Sequence, residues 1–386
     1  MFYKCSSIIL ATLLCTPASA AIIQVGDPTT DLGQISVSGW LRANIQDKDF
    51  TDQNEHKLKF DGAKLNINYE AKNFIGNLQY RCYQFDTACD FSSLVDAYLG
   101  YKFNENNRLL LGVQPIPFGP DVGWSSNWWG GILITAGLED IHNTGVTFSS
   151  RLPTNTQIDA GHFPRDSGNW VGKSRDSSRY SPSFVKPDQA DEPYVKETDM
   201  WMLRVSQNIP LSAPDLKLNL GGSYWYSDID HQSLPTHGHR QSWAAFAKAS
   251  YGNANLTVTV GENDIDLSAP NAPDYATVGS FDMAYRVANQ ADFYTVDLNY
   301  VIKDIGKGWS LTPYATYSAY QKSASGDKDS IRYVLGAQAT RQSLGVALEY
   351  IAGKNDPFID GHVDSLAQGT TNEYNALTNL MFFYYF

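Results

Sequence analysis

The sequence predicts an all-β chain, a sixteen-stranded antiparallel transmembrane β-barrel, and three observations carry that expectation. The last residues alternate strictly: Thr378, Leu380, Phe382, Tyr384 and Phe386 share one face, and Asn379, Met381, Phe383 and Tyr385 share the other, as the two-residue period of a strand requires. Segments of the same alternating kind recur along the chain, and sixteen can be counted. The connections between them are short and long in strict alternation, the pattern of barrels with tight periplasmic turns and long extracellular loops.

Both ends of the chain agree with export. Met1 to Ala20 carries Lys4, an apolar run from Ile8 to Leu14 and the small-x-small sequence Ala18-Ser19-Ala20, which reads as a signal peptide (residues 1–20) preceding a barrel over 21–386. Cys15 raises a lipoprotein alternative, but Leu14 stands where a lipobox has a small residue. The aromatic last strand is of the kind with which bacterial outer-membrane proteins commonly end, which implies handling by the barrel-assembly machinery. No run approaches the length of about 18 apolar residues that a membrane helix needs.

Composition points the same way. Hydrophobic residues make up 42% and charged residues 18%, and the mean hydropathy of −0.33 suits strands that are apolar on one face only. The net charge of −12, more negative still without Lys4, excludes a general nucleic-acid binder. Once Cys5 and Cys15 leave with the leader, Cys82 and Cys89 remain, an even pair that predicts a disulfide in an oxidising compartment.

In order, the first strand runs from Gln34 to Ile45, with Ile35, Val37, Leu41 and Ala43 toward lipid and Trp40, Arg42 and Asn44 toward the lumen. Leu58 to Glu70, Phe74 to Phe85, Leu94 to Phe103 (Val95, Ala97 and Leu99 outward) and Arg108 to Gln114 follow. The others lie near 142–150, 156–164, 199–208, 216–227, 240–251, 255–261, 292–301, 309–320, 330–340, 344–352 and 376–386. Turns such as Ala71 to Asn73 and Gly252 to Ala254 are rich in the residues that turns favour. Phe281 to Ala288 has the pattern of half a further hairpin, which keeps an eighteen-stranded barrel open. Outward aromatics near strand ends, among them Tyr69, Tyr101, Tyr224, Tyr226, Tyr300, Tyr317 and Tyr350, predict interfacial girdles.

The connection Pro115 to Ile141 has too many prolines and glycines for a strand and too many aromatics for a solvated loop. It reads as a constriction loop folded into the barrel. It carries Asp121, Glu139 and Asp140, with no Lys or Arg, and so offers carboxylates to the lumen. Facing it, the lumen phase of consecutive strands holds Arg42, Lys64 and Arg81 around or above mid-height, with Lys102 and Arg108 near the periplasmic mouth. Further inward cations are Arg204, Lys217, Lys248 and Arg332; inward anions include Glu70, Asp96, Asp159, Asp297 and Glu349. A basic wall opposite an acidic loop sets a transverse field that orients polar solutes. Trp124, Trp128 and Trp129 would either pack the loop on the wall or stack on sugar rings.

Leu94-Val95-Asp96-Ala97-Tyr98-Leu99-Gly100-Tyr101, followed by Gly112-Val113-Gln114-Pro115-Ile116-Pro117-Phe118-Gly119, resembles the phosphate-selective porin family over the first six strands. The resemblance implies a homotrimer of sixteen-stranded barrels, with anion selectivity resting on lysines of the constriction loop and a ladder of inward arginines. Here the loop has no lysine.

The expected function is passive diffusion of small hydrophilic solutes and ions across the bacterial outer membrane; the alternative is a substrate-specific channel for sugars or organic or phosphate anions. No cofactor is expected. The partners expected are further copies of the chain, outer-membrane lipid and lipopolysaccharide, the last through Arg165, Lys173, Arg175, Arg179 and Lys186. A metal site at His231, His237 and His239 competes with the simpler reading of scattered loop histidines. A barrel enzyme would need a nucleophile, a base and an orienting acid gathered together, and the Ser and His residues show no such grouping. An adhesin would use the loops Arg165 to Thr198 and Glu262 to Ala291.

Overall fold

A computed structural model describes residues 23–386 apart from 53, 55, 190–191, 233, 269–271 and 360–361. The expected leader, with Cys5 and Cys15, lies outside the described residues. The described residues begin with β1 (Ile23–Gly26), which is followed by β2 (Gln34–Lys48), β3 (Lys59–Glu70), β4 (Phe74–Tyr83), β5 (Phe91–Lys102), β6 (Asn107–Pro115), the short helix α1 (Ile132–Thr135), β7 (His142–Arg151) and β8 (Thr156–Asp166). Then come β9 (Ser183–Phe184), β10 (Val195–Ile209), β11 (Leu216–His231), β12 (His237–Tyr251), β13 (Ala254–Asp266), β14 (Tyr275–Ser280) and β15 (Met283–Ala288). The chain ends with β16 (Gln290–Tyr300), β17 (Ser310–Lys322), β18 (Ser330–Arg341), β19 (Leu344–Lys354) and β20 (Asn375–Tyr385).

Sixteen of these strands form a closed antiparallel transmembrane barrel, each pairing with its neighbour in sequence and β20 returning to β2 with Trp40 opposite Tyr385. Closure leaves no lipid-exposed edge with unpaired backbone groups, which the bilayer core would not tolerate. The extra strand β1 pairs with β2 just beyond the point where β20 stops, Ile23 opposite Val37. Phe386 and Gly39 exchange backbone hydrogen bonds of 3.1 and 2.9 Å there, so β1 and the last residue of β20's run meet along β2.

The alternation places side chains as the pattern predicts. Leu99, Leu111 and Leu335 stand out toward lipid, whereas Thr295, Ser318 and Glu349 are buried inside. Tyr101, Tyr224, Tyr300 and Tyr350 are exposed on the outer face, where amphipathic rings suit the membrane boundary. On β20, Phe382 and Tyr384 face out and Met381, Phe383 and Tyr385 face in.

Three differences from the expected strands have physical causes. At the long-loop end β10, β11, β12 and β13 continue to Val195, His231, His237 and Asp266, because above the membrane the outward face turns polar while Val195, Ile229 and Ile265 point inward to the apolar cluster, so the apolar-out pattern no longer marks the strand. Bulges shift the register at Asp61 on β3 and at Val95 on β5; Val95, expected on the lipid face, is fully buried. The extra hairpin exists as β14 and β15, but it pairs with β9 in a separate three-stranded sheet and adds nothing to the barrel, which therefore has sixteen strands rather than eighteen.

The largest apolar cluster lies inside the lumen. It joins Phe118, Trp124, Ile132, Leu133 and Leu138 of the loop after β6 to Trp225 and Phe293 of the wall and to Phe184, Val278, Tyr285 and Leu366 of the outer loops. The loops at this end are packed against one another and reach β4 and β5 through Phe281 and Val171.

Candidate functional site: a lumen narrowed by two loops

A loop at membrane depth has no strand to satisfy its backbone, so its amide groups need other partners. The segment after β6 finds them on the wall. Gly119 N–H donates to Ser223 Oγ (2.9 Å), Ser126 N–H to Asp297 Oδ1 (3.0 Å), Trp128 N–H to Glu349 Oε1 (2.6 Å) and Ile132 N–H to Ser318 Oγ (2.8 Å). Arg332 accepts no solvent role: it donates to Gly131 O (2.8 Å) and Thr135 Oγ1 (3.0 Å) while paired to Asp356 (2.6 Å). The loop is thus hydrogen-bonded to the wall from β11 to β19 and reaches β20 and β2 through Trp128.

Of the loop carboxylates, only Asp121 has the expected outlook, half-exposed and 3.0 Å from Lys248 Nζ. Glu139 does not face the lumen. It turns back into the loop, 1% exposed, and accepts from Trp124 N–H (2.6 Å) and Ser125 Oγ (3.3 Å). Burial pushes its carboxyl up to about 8, against the lowering effect of the Trp124 amide. Asp140 lies where the loop rejoins the wall and accepts from His142 Nε2 (3.0 Å) and from the Tyr180 hydroxyl (2.5 Å). Burial alone would raise its carboxyl; the hydrogen bond and charge of His142, with the charge of Arg81, outweigh it and hold the group below the ordinary carboxylate range.

The tryptophans pack. Trp124 is 2% exposed, between Phe118 and Phe293. Trp128 lies 4.4 Å from Phe383 and edge-on to Trp40, and Trp129 is packed against the cluster of Tyr314, Val334, Ile351 and Leu377. Trp124 is closed off by this packing, whereas Trp128 and Trp129 keep part of their surface exposed.

On the wall, Arg42 is ion-paired to Asp61 and its guanidinium lies 5.0 Å from the Trp40 ring and 5.9 Å from the rings of Tyr83 and Trp128, a favourable cation–π setting. The phase that sends Ala63, Leu65 and Ile67 outward would send Asp61 outward as well; the bulge turns it in. Gly62 beside it was the available signal, since a glycine inside a strand pattern often marks a bulge. Lys64 stands directly opposite Arg81 in the β3–β4 register. Arg81 donates to the Tyr180 hydroxyl. Tyr180 comes from the loop after β8, and nothing in the sequence of that loop singles it out.

The other inward charges are largely paired. Lys102 meets Glu70 at 3.1 Å, Arg204 meets Asp159 at 2.9 Å, and Asp96 bonds His142 Nδ1 at 2.8 Å. Arg240, which the alternation did not single out, lies 3.7 Å over Trp225 and 3.5 Å from Glu197. Toward the periplasmic side Asn77 Nδ2 donates to Asn66 (2.9 Å) and Asn68 (2.7 Å), a polar ladder on half-exposed wall.

In the outer loops, Cys82 and Cys89 are disulfide-bonded with Cα atoms 4.9 Å apart. Arg179 is buried on Asp166 (2.6 Å) and Asp176 (2.7 Å), and Lys173 pairs with Asp86, so these two cations are turned to the protein rather than to lipid phosphates. Arg165, Arg175 and Lys186 remain exposed. His231 bonds Leu267 O and His237 bonds Asp230 at 2.8 Å; the histidines do not converge, and no group able to hold a metal occurs among the described residues.

No protein-family model matches the sequence, and neither does any curated protein. Solved structures do. OmpF of Salmonella typhi aligns with a TM-score of 0.59 at 12% identity over 94% of this chain and 100% of that one. The outer membrane channel DcaP of Acinetobacter baumannii aligns with 0.58 at 14% over 93% and 99%. OmpT of Vibrio cholerae, in a trimer form, aligns with 0.54 at 15% over 92% and 99%. At such identities the likeness is one of fold: the chain has the sixteen-stranded architecture of outer-membrane β-barrels along almost its whole length.

Proposed function

We propose that the protein is an outer-membrane porin, a passive diffusion channel for small hydrophilic solutes and ions. The observation that carries this reading is a closed barrel whose inner wall from β2 to β6 is polar and partly exposed, at Ser38, Asn66, Asn68, Asn77 and Tyr98, the inward loop being held to the opposite side by wall carboxylates and hydroxyls. A lumen of this kind passes polar solutes and disfavours apolar ones. Arg42, Lys64 and Asp121 are the charges best located to line the passage, Arg81 and Asp140 lie behind Tyr180, and Glu139 acts on it through the loop's anchorage. Homotrimeric assembly in lipid is part of the proposal, in keeping with the trimer form of OmpT.

Solute preference follows from how the charges are paired. Arg42 is neutralised by Asp61 and Arg81 is covered by Tyr180 beside Asp140, which favours a general channel over a phosphate-selective one. The like-charged pair of Lys64 and Arg81 in direct register is the observation that favours the second reading, a preference for organic or phosphate anions, since opposed cations on adjacent strands repel.

Swelling of proteoliposomes separates these readings. Rates that fall with the size of neutral sugars, and that phosphate and small dicarboxylates do not saturate, are expected of the general channel. A saturable rate for one solute class would assign it as the substrate. No swelling above protein-free liposomes would overturn the channel itself.

A further inference from the structure

The hairpin of β14 and β15 leaves the barrel between β13 and β16, yet its tip lies on the far wall. Phe281 packs 5.7 Å from Tyr83 of β4 and 5.5 Å from Phe91 of β5, and β4 stands eight places from β13 in the ring of sixteen strands. The hairpin is therefore a strap across the mouth. Its two-residue turn puts Phe281 and Asp282 at φ values of 47° and 65°. Hairpin turns of this kind ask for positive φ at both central positions, which Asn-Gly adopts readily and a bulky aromatic residue does not.

Docking contacts offset that strain. The Asp282 carboxylate accepts from Lys173 N–H (2.7 Å), Ser174 N–H (2.8 Å) and Ser178 Oγ (2.5 Å), and Phe281 N–H donates to Arg179 O (2.8 Å). All of these lie in the residues just before Tyr180, whose ring is 5.5 Å from that of Phe281. On its other side, Ser181 Oγ accepts from His142 N–H at 2.8 Å. Tyr180 is thus clamped from both directions and pressed, 5% exposed, against the lumen wall.

Its position there is chemically specific. The Arg81 guanidinium lies 4.8 Å over the ring and donates to the hydroxyl, and that hydroxyl donates to Asp140 Oδ2 at 2.5 Å. Burial raises the phenol far above its ordinary range, so it stays a neutral donor. One phenol covers a cation and an anion together, and Lys64 remains beside them with no ion pair among the described residues.

We propose that Tyr180 is a specificity-determining residue of the channel, masking Arg81 from the passage, and that the β14–β15 strap is the element that positions it. This rests on the channel reading above. With Tyr180 removed, Arg81 and Lys64 would present two adjacent cations to permeating ions, while Asp140 keeps its bond to His142.

The test is the reversal potential across a KCl gradient for the full-length protein in planar bilayers, comparing wild type with Tyr180→Ala, Tyr180→Phe and Asp282→Asn. Tyr180→Ala is expected to shift selectivity severalfold toward chloride and to raise conductance. Tyr180→Phe, which keeps the ring over Arg81 and loses the hydroxyl bonds, should lie between the two. Asp282→Asn should move in the direction of Tyr180→Ala without altering a lumen residue. Folding of each variant is checked by its mobility on unheated gels. Variants that fold and conduct with the wild-type reversal potential would overturn the proposal. A silent wild type would instead remove the channel reading on which it depends.

Discussion

Asp297 and Glu349 were expected among the inward charges of the lumen, and each is instead a fastening for the loop, accepting an amide N–H of Ser126 and Trp128 at 3.0 and 2.6 Å. An inward carboxylate can serve permeation or hold backbone, and only the position of the loop decides which. Glu139 makes the same point from within the loop. Because its carboxyl is raised from an ordinary 4.5 to about 8, the docked loop holds a proton that the undocked loop releases. The stabilisation is therefore complete below about pH 4.5 and is lost as pH rises through about 8. Trp124, whose amide Glu139 receives, reports the docking through its fluorescence. Thermal release of the loop should occur at lower temperature at pH 9 than at pH 5 in the wild type, by an amount equivalent to a few kcal/mol at most, and Glu139→Gln should remove most of that difference. An equal pH dependence in the variant would show that another group is responsible.

At the scale of elements, β20 was readable because both of its faces have a fixed environment, lipid outside and the Trp40–Trp128 cluster inside, so every second residue is constrained. The ends of β10 to β13 were not, since beyond the membrane water replaces lipid outside and the packed loops replace the lumen inside, which inverts the pattern, with Ile229 and Ile265 turned inward. Bulges were hidden for a related reason: one inserted residue reverses the phase, and the cue for Asp61 was a single glycine. The hairpin β14–β15 was visible as a pattern, but its destination across the mouth depends on contacts between residues distant in sequence. Pairing between strands carries a prediction of its own. Gly261 sits opposite Phe293, and a Cβ there would lie 2.1 Å from Trp243 O and 2.3 Å from the Phe293 ring. Since Phe293 supports Phe118 and Trp124 of the loop, Gly261→Ala should cost about 1–3 kcal/mol in urea unfolding from vesicles and should loosen the constriction. Unchanged stability would mean that the wall relaxes around the methyl group without disturbing the loop.

For the whole molecule, the barrel was legible from alternation and loop length, whereas the passage was not, because it is bounded by two loops whose paths depend on the wall they meet. The expected arrangement, an acidic loop facing a basic wall, is replaced by a finer one in which Arg42 pairs with Asp61 on its own wall and Arg81 is covered by a tyrosine from a second loop. What remains is a polar, partly exposed inner wall from β2 to β6. The central claim is that this lumen conducts. It is tested most directly by single-channel recording of the purified protein in planar bilayers: the account predicts steady ohmic openings, arriving in groups of three if the barrel is trimeric, and folded protein that inserts without conducting would contradict it.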